Sequence, residues 1–422
     1  MAPPAGRNRA LFLLTLIYLF NFMDRQIMAV LAEPIRKELL LSDTQIGLLT
    51  GFMFALFYTS FGVPVAWFAD RTRRSWVIAG ACTLWSGFCA ACGLATGFAS
   101  LALARIGVAV GEAGGVAPSY SLISDFYPVE ERGRAIAVFS MGVPLGLGVG
   151  TAAGGWIAAT YGWRTAFFVV AAPGILLALL LVLLVREPEK GATDTAPLAA
   201  RAGFGATMAM FFSSPRLLLV TLSASLGAFT CYGLMAWISA YLQRVLGMTL
   251  KEVGSYLSIT LAISLGVGIW LSGYLADRHA AREPRMYAWI PAVALALGAP
   301  ALLIATRQTD WHVALPLFGV AIGLSVFYLA PSVAALSSLV PAAQRSTANA
   351  TMLLFLNLIG LGGGPYLIGV TSDWAKAAHG TQSLRIAFTA LTPMFLVAAL
   401  ACLASARALG QGRSRDGLIS AS

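Results

Sequence analysis

Apolar residues in this chain come in long runs, separated by short clusters of charge, proline or glycine. A helix needs about 20 mostly apolar residues to cross the hydrocarbon of a bilayer. Runs of that kind predict membrane-spanning helices over 10–32, 44–69, 75–96, 100–124, 134–158 and 165–185. After a polar stretch they continue over 216–243, 252–276, 287–306, 311–335, 346–371 and 385–407. The expected fold is an all-α membrane protein with twelve transmembrane helices, in a first bundle (1–186) and a second (216–422). The polar stretch carries Arg186, Glu187, Glu189, Lys190 and Asp194 and makes 187–215 a linker. Within it, Ala206 to Phe212 reads as a short amphipathic helix lying along the membrane surface. The first run follows Arg7 and Arg9 and imitates a secretory signal. It lacks a small-residue cleavage site and leads straight into Asn21, Asp24 and Arg25, so it is expected to be the first span.

Composition narrows the class further. Hydrophobic residues make up 58% and charged residues 11% of the 422 positions, against about 25% charged in a soluble protein. That excludes a chain of soluble domains, a disordered chain and a disulfide scaffold. The net charge of +10 would suggest a nucleic-acid partner in a soluble protein. Here its distribution explains it. Eighteen Lys and Arg fall in the termini and loops of one side, eight on the other, and Arg25 and Arg105 fall inside spans. Basic loops stay in the cytoplasm, so both termini and the linker are expected there, in a multi-pass protein of a bacterial inner membrane without a nucleic-acid partner. Cys82, Cys89, Cys92, Cys231 and Cys402 all lie in apolar runs, where Cys89 and Cys92 read as packing residues rather than a redox pair. The chain has no G-x-x-x-x-G-K-[ST], H-E-x-x-H, G-x-S-x-G or Cys/His cluster. No ATP site, metal, cofactor or catalytic residue is therefore expected.

Three short segments recur in order. Ala69-Asp70-Arg71 returns as Ala276-Asp277-Arg278, Pro128 with Arg132 as Pro341 with Arg345, and Arg164-Thr165-Ala166-Phe167 as Arg385-Ile386-Ala387-Phe388. The offsets are 207, 213 and 221 residues. Six spans per repeat give both halves one orientation, which resembles the parallel-repeat plan of the major facilitator transporters. That plan implies two six-helix bundles with a substrate site near the membrane midplane, in what is expected to be a monomer. Asp70-Arg71-Thr72-Arg73-Arg74 and Gly273-x-x-x-Asp277-Arg278 resemble the superfamily's motif A, with Ala66 in place of the first glycine. The resemblance implies a cytoplasmic latch of Asp70, Arg71, Arg73, Arg74, Asp277 and Arg278. Gly142, Gly146, Gly148, Gly150, Gly154 and Gly155 lie in the fifth span, where glycine permits close helix contact. No strand precedes them, so a dinucleotide loop is rejected.

Charge inside the hydrocarbon marks the candidate site. Asp24 and Arg25 fall mid-way along the first span, and Arg105 and Glu112 in the fourth. Seven residues are about two turns, which puts Arg105 and Glu112 on one face about 10 Å apart. Each such charge costs about 2.5–3.5 kcal/mol on insertion scales. Two acids and two arginines balance, so mutual pairing removes much of that cost. A static staple is one reading. A working site is favoured, because apolar packing holds helices together without buried ions. Arginine keeps its proton, and His279, His312 and His379 lie in or beside loops. Asp24 and Glu112 are therefore the candidate proton-coupling residues, with Arg25 and Arg105 as charge partners and headgroup contacts. Tyr18, Asn21 and Arg25 share one face of the first span. Spans seven to twelve hold no mid-span charge and offer Thr230, Tyr232, Trp237, Tyr328, Ser332 and Asn357, with many Leu, Val and Phe, as an apolar, aromatic wall. One ionic and one apolar wall suit an amphipathic substrate alongside protons.

Asn21-Phe22-Met23-Asp24-Arg25, Arg105 with Gly111-Glu112-Ala113, Asp125-Phe126-Tyr127-Pro128 and Arg186-Glu187-Pro188 resemble the Spinster family. The match is detailed over the first 190 residues or so and general beyond them. It implies a transporter of lysophospholipids or sphingosine-1-phosphate, with protonation at Asp24 and Glu112. The first-span and fourth-span residues also resemble symporters of small organic anions, and a multidrug efflux antiporter is a further alternative.

Overall fold

The computed structural model describes residues 6–189, 204–280, 282–341 and 344–419. In a bilayer every backbone N–H and C=O must find its partner within the protein, which leaves an apolar run little choice but a helix. The spans are α1 (Arg7–Val30), α2 (Asp43–Ala69), α3 (Arg74–Gly93), α4 (Phe98–Phe126), α5 (Glu130–Tyr161) and α6 (Trp163–Leu184). They continue as α7 (Pro215–Arg244), α8 (Leu250–Ala280), α9 (Met286–Arg307) and α10 (Trp311–Leu339). The last apolar stretch, Thr347–Gly410, has 64 residues, and as one straight rod would measure about 96 Å, three times the hydrocarbon thickness. It folds back at Gly380, whose φ of 53° suits a residue without a side chain. This yields α11, made of Arg345–Phe355, Leu356–Gly363 and Gly364–His379, and α12, Ser383–Ile419. Twelve passes result among the described residues. Lys190 and Asp194 of the expected linker lie outside the described residues, and the short helix expected at 206–212 is present as Phe204–Ser213.

Local devices recur between the two repeats. Ser42 and Gln45 cap each other's backbone at the start of α2, and Thr249 with Glu252 does the same for α8, 207 positions later. Each cap is followed by a π-helical turn, Leu48–Phe52 and Val253–Leu257. α4 is interrupted after Glu112, where the N–H groups of Gly114 and Gly115 reach back only three residues, to Gly111 and Glu112. α10 is interrupted at the same repeat position by a 3-10 turn, Val326–Tyr328. Pro118 and Pro331 follow the two breaks at matching places.

The described residues up to 189, together with Leu242–Ala262, form one compact unit; those of Leu198–Tyr241 and Ile263–Ser422 form a second. In the first, α1 packs on α5 and α6, and α3 lies against α4 and α6. A methyl group on Gly146 would sit 2.4 Å from the Leu19 carbonyl oxygen, and one on Gly111 would sit 2.6 Å from the Trp85 nitrogen. These contacts set the spacing of α5 on α1 and of α4 on α3. In the second unit α9 packs on α10 and α12, and α11 on α12. Leu103, Leu183, Trp270 and Leu400 are among many large apolar side chains pointing outward, as expected for helices bathed in hydrocarbon.

Candidate functional site

Four charged side chains converge in the first unit, from α1 and α4. The Arg25 Nε donates to a Glu112 carboxylate oxygen at 2.5 Å, and an Arg105 terminal nitrogen lies 3.8 Å from an Asp24 oxygen. Neighbours on α1 thus pair crosswise with residues two turns apart on α4. Glu112 has no exposed side-chain surface, Asp24 and Arg105 have almost none, and Arg25 retains 18%. At 3.8 Å the second pair is an ion pair beyond hydrogen-bonding distance. One pair is therefore tight and the other loose, and the four charges sum to zero. Asn21, buried on α1, adjoins the Glu112 carboxyl. A cavity of about 10 Å³, lined by Tyr18, Asn21, Trp85, Ser119 and Phe139 among others, opens beside it; that is about the room one water needs. Tyr18 itself stacks on Phe139 at 4.4 Å.

The arginines also meet aromatic faces. The Arg25 guanidinium carbon lies 5.1, 4.9 and 4.7 Å from the ring centres of Phe22, Phe54 and Tyr58, and that of Arg105 lies 5.0 Å from Phe54. Such contacts stabilise a cation without a counter-anion, by about 0.5 to 2 kcal/mol depending on desolvation. The sequence reading missed Phe54 and Tyr58, since two aromatics among many on an apolar helix carry no signal of their own.

The residues singled out in the second half lie in the second unit. Thr230 on α7 is buried and donates to the Gly227 carbonyl at 2.8 Å. The Trp237 indole, fully buried, donates to the Pro365 carbonyl at 2.9 Å, joining α7 to α11. Tyr328 sits in the break of α10, packed against Gly227. Tyr232 is partly exposed, and Asn357 lies in the π-helical segment Leu356–Gly363 of α11. Helices interrupted at corresponding points of two repeats are a recurring mark of a transport site. Here those breaks adjoin Glu112 in one unit and hold Tyr328 in the other.

The motif A residues separate into two kinds. Asp70, Arg71 and Arg73 are exposed, with Arg71 lying over the Trp67 ring at 3.7 Å. Arg74 turns inward and is 2% exposed; it pairs with Asp125, with Glu187 at 2.7 Å and with Ser121 at 2.9 Å. Burial pushes the Glu187 carboxyl up, but hydrogen bonds from the Arg74 side chain and from the Ser75 and Arg74 backbone hold it below its ordinary value. Asp277 and Arg278 are exposed, and Arg278 bonds the Tyr274 hydroxyl at 2.9 Å.

A second ionic cluster escaped the sequence reading. Arg244, the last residue of α7, donates to Glu33 at 2.6 and 2.9 Å and to Asp43 at 2.7 and 2.8 Å. All three side chains are nearly buried, and Arg36 bonds Glu33 from the other side at 3.0 Å. Burial pushes the Glu33 carboxyl up; the bonds from Arg36 and Arg244 outweigh that and hold it below its ordinary value. One signal was available: Arg244 ends an apolar run on the side that carries few basic residues.

The family model described as Major Facilitator Superfamily matches residues 14–365. An MFS-type efflux pump of Mycolicibacterium smegmatis is 35% identical over 401 residues, covering 94% of this chain and 92% of that one. Human protein spinster homolog 1 is 29% identical over 395 residues, covering 87% and 74%. Among solved structures, a bacterial homolog of the human lysosomal transporter Spinster, inward-facing and unoccupied, superposes with a TM-score of 0.88 at 31% identity, covering 96% of this chain and 98% of that one.

Proposed function

The chain belongs to the Major Facilitator Superfamily, and from that premise we propose that it is a proton-coupled secondary transporter of an anionic amphiphile, of lysophospholipid or sphingosine-phosphate type, moved by alternating access. That it is a multi-pass membrane transporter rather than an enzyme, homologous to Spinster proteins, follows from the family and its relatives. The finer reading rests above all on the crosswise pairs Arg25–Glu112 and Arg105–Asp24.

With both acids ionised the cluster is neutral and Glu112 holds Arg25. A proton on Glu112 removes the anion from Arg25, while Phe22, Phe54 and Tyr58 still hold its guanidinium. Arg25 then has its charge available for a phosphate or carboxylate headgroup, which its planar fork grips in bidentate fashion. Loss of the proton restores the pair and expels the headgroup. Proton and anion therefore bind together and leave together, the logic of symport. Asp24 and Arg105 supply a second, looser pair for a second step. The excess of Lys and Arg in the loops of one side supports cytoplasmic termini, and a monomer suffices for the cycle.

The efflux pump relative favours a second reading, in which a drug-like molecule leaves in exchange for protons. The sign of flux separates the two. Proteoliposomes are loaded with a labelled lysophospholipid or a small organic acid, with and without an imposed pH gradient. Symport of the lysophospholipid down the proton gradient supports the proposal. Transport of the organic acid alone overturns the substrate class, and movement opposite to the proton gradient overturns symport.

A further inference from the structure

Phe54 lies with its ring beside the arginines of both ion pairs. Its ring centre lies 4.9 Å from the guanidinium carbon of Arg25 and 5.0 Å from that of Arg105, and the side chain is 1% exposed. The π-helical turn Leu48–Phe52 ends just before it, and one extra residue in a turn rotates everything that follows. After that turn Phe54 and Tyr58 lie one helical turn apart and stack at 5.8 Å, with both rings near Arg25. π-helical turns of this kind gather at functional sites. The negative face of an aromatic ring attracts a cation, so a ring shared by two guanidiniums restrains both.

We propose that Phe54 is a positioning residue that couples the two ion pairs, its ring transmitting a displacement of Arg25 to Arg105 and hence from Glu112 to Asp24. This rests on the proton-coupled reading above and adds to it a reason why the two acids act in sequence. When Glu112 takes a proton, Arg25 relaxes toward the rings of Phe54 and Tyr58. The shared ring follows, and the loose pair of Arg105 with Asp24 tightens or opens with it. The ionisable groups around the ring are Asp24 and Arg25 of α1, Tyr58 of α2, Cys89 of α3, which adjoins Asp24, and Arg105 and Glu112 of α4.

The test separates the ring's electrostatics from its bulk. Phe54 is replaced by a fluorinated phenylalanine, which keeps the shape and drains negative charge from the ring face, and separately by Tyr and by Leu. The carboxyl infrared bands of the purified protein, assigned with Glu112→Gln and Asp24→Asn, are titrated with pH. The fluorinated ring and Phe54→Leu should each displace the titration midpoints by half to one pH unit, a roughly three- to ten-fold change in proton affinity. Phe54→Tyr should leave them near wild type. In Glu112→Gln, fluorination should still displace the Asp24 band through the direct contact of the ring with Arg105, but by less than in wild type, because the part relayed through the Arg25 pair is gone. Unchanged midpoints with the fluorinated ring, at unchanged melting temperature, would reduce Phe54 to packing. Because the titration needs no flux, a protein whose transport ignores the pH gradient while its bands still shift would overturn the proton-coupled function and leave the role of Phe54 standing. Should Phe54→Leu not fold, the fluorinated variant carries the test alone.

Discussion

Replacing Arg244 by methionine removes the cation that holds two buried carboxylates at the connection between α1 and α2. Four hydrogen bonds of 2.6–2.9 Å disappear. Glu33 keeps Arg36 at 3.0 Å, whereas Asp43, with no exposed side-chain surface, keeps Arg36 only at 3.6 Å. Breaking a buried charge pair from one side typically costs about 3–5 kcal/mol, because the remaining charge stays desolvated. Asp43 stands in the first turn of its helix, where the helix dipole favours an anion, returning about 0.3–1 kcal/mol. The expected loss is therefore about 2–4 kcal/mol, or on the order of 10 °C in melting temperature for a unit of this size. Thermal unfolding in detergent, followed by tryptophan fluorescence, reads it. Adding Asp43→Asn to Arg244→Met should recover part of the loss, since one of the two buried carboxylates that Arg244 held is then uncharged. The pH dependence has a defined sign. The Glu33 carboxyl is held below its ordinary 4.5, so its contribution is present in full above that value and is lost as pH falls through the lower, folded value. Wild type should lose stability on acidification below about pH 4.5, and Arg244→Met should lose less. A melting temperature within 2 °C of wild type, with unchanged acid sensitivity, would refute the reasoning (about 1 kcal/mol by the same scale).

Other expectations follow from the same geometry. Arg25→Lys should keep only part of the transport of an anionic amphiphile, and Arg25→Ala none; full activity in the Lys variant, measured as flux, would mean that Arg25 supplies charge alone. Asp70→Asn and Asp277→Asn should shift the resting balance between inward- and outward-open states, read by cysteine labelling from both sides, and unchanged labelling would reduce motif A here to a topology signal. Gly146→Val should sharply lower folded yield, because its Cβ would meet the Leu19 carbonyl at 2.4 Å; wild-type yield and flux would show that α1 and α5 have room to separate.

What the sequence disclosed follows from the solvent. Asp24, Arg25, Arg105 and Glu112 stood out because a charge in a long apolar run is costly, and the twelve spans did so because the bilayer fixes their length. The cross-pairing stayed hidden, as it depends on the rotation of α4 against α1, and no one-dimensional spacing encodes that. The break after Glu112 was partly legible in Gly114, Gly115 and Pro118, although these read equally well as packing residues. Arg244, Glu33 and Asp43 sit at span ends, where charges are ordinary, and only their burial sets them apart. Phe54 and Tyr58 were lost among the chain's aromatics, because the π-helical turn that aims them has no sequence signature.

The central claim is that Glu112 and Asp24 carry the coupled proton. The most direct measurement is flux of a labelled lysophospholipid into proteoliposomes against a graded, imposed pH gradient, for wild type, Glu112→Gln and Asp24→Asn, with melting temperatures taken in parallel. Flux in wild type should rise with the gradient, and neither neutral variant should respond to it, although substrate binding survives. Variants that melt earlier but keep the wild-type gradient dependence would contradict the claim and leave the four charges as a structural staple.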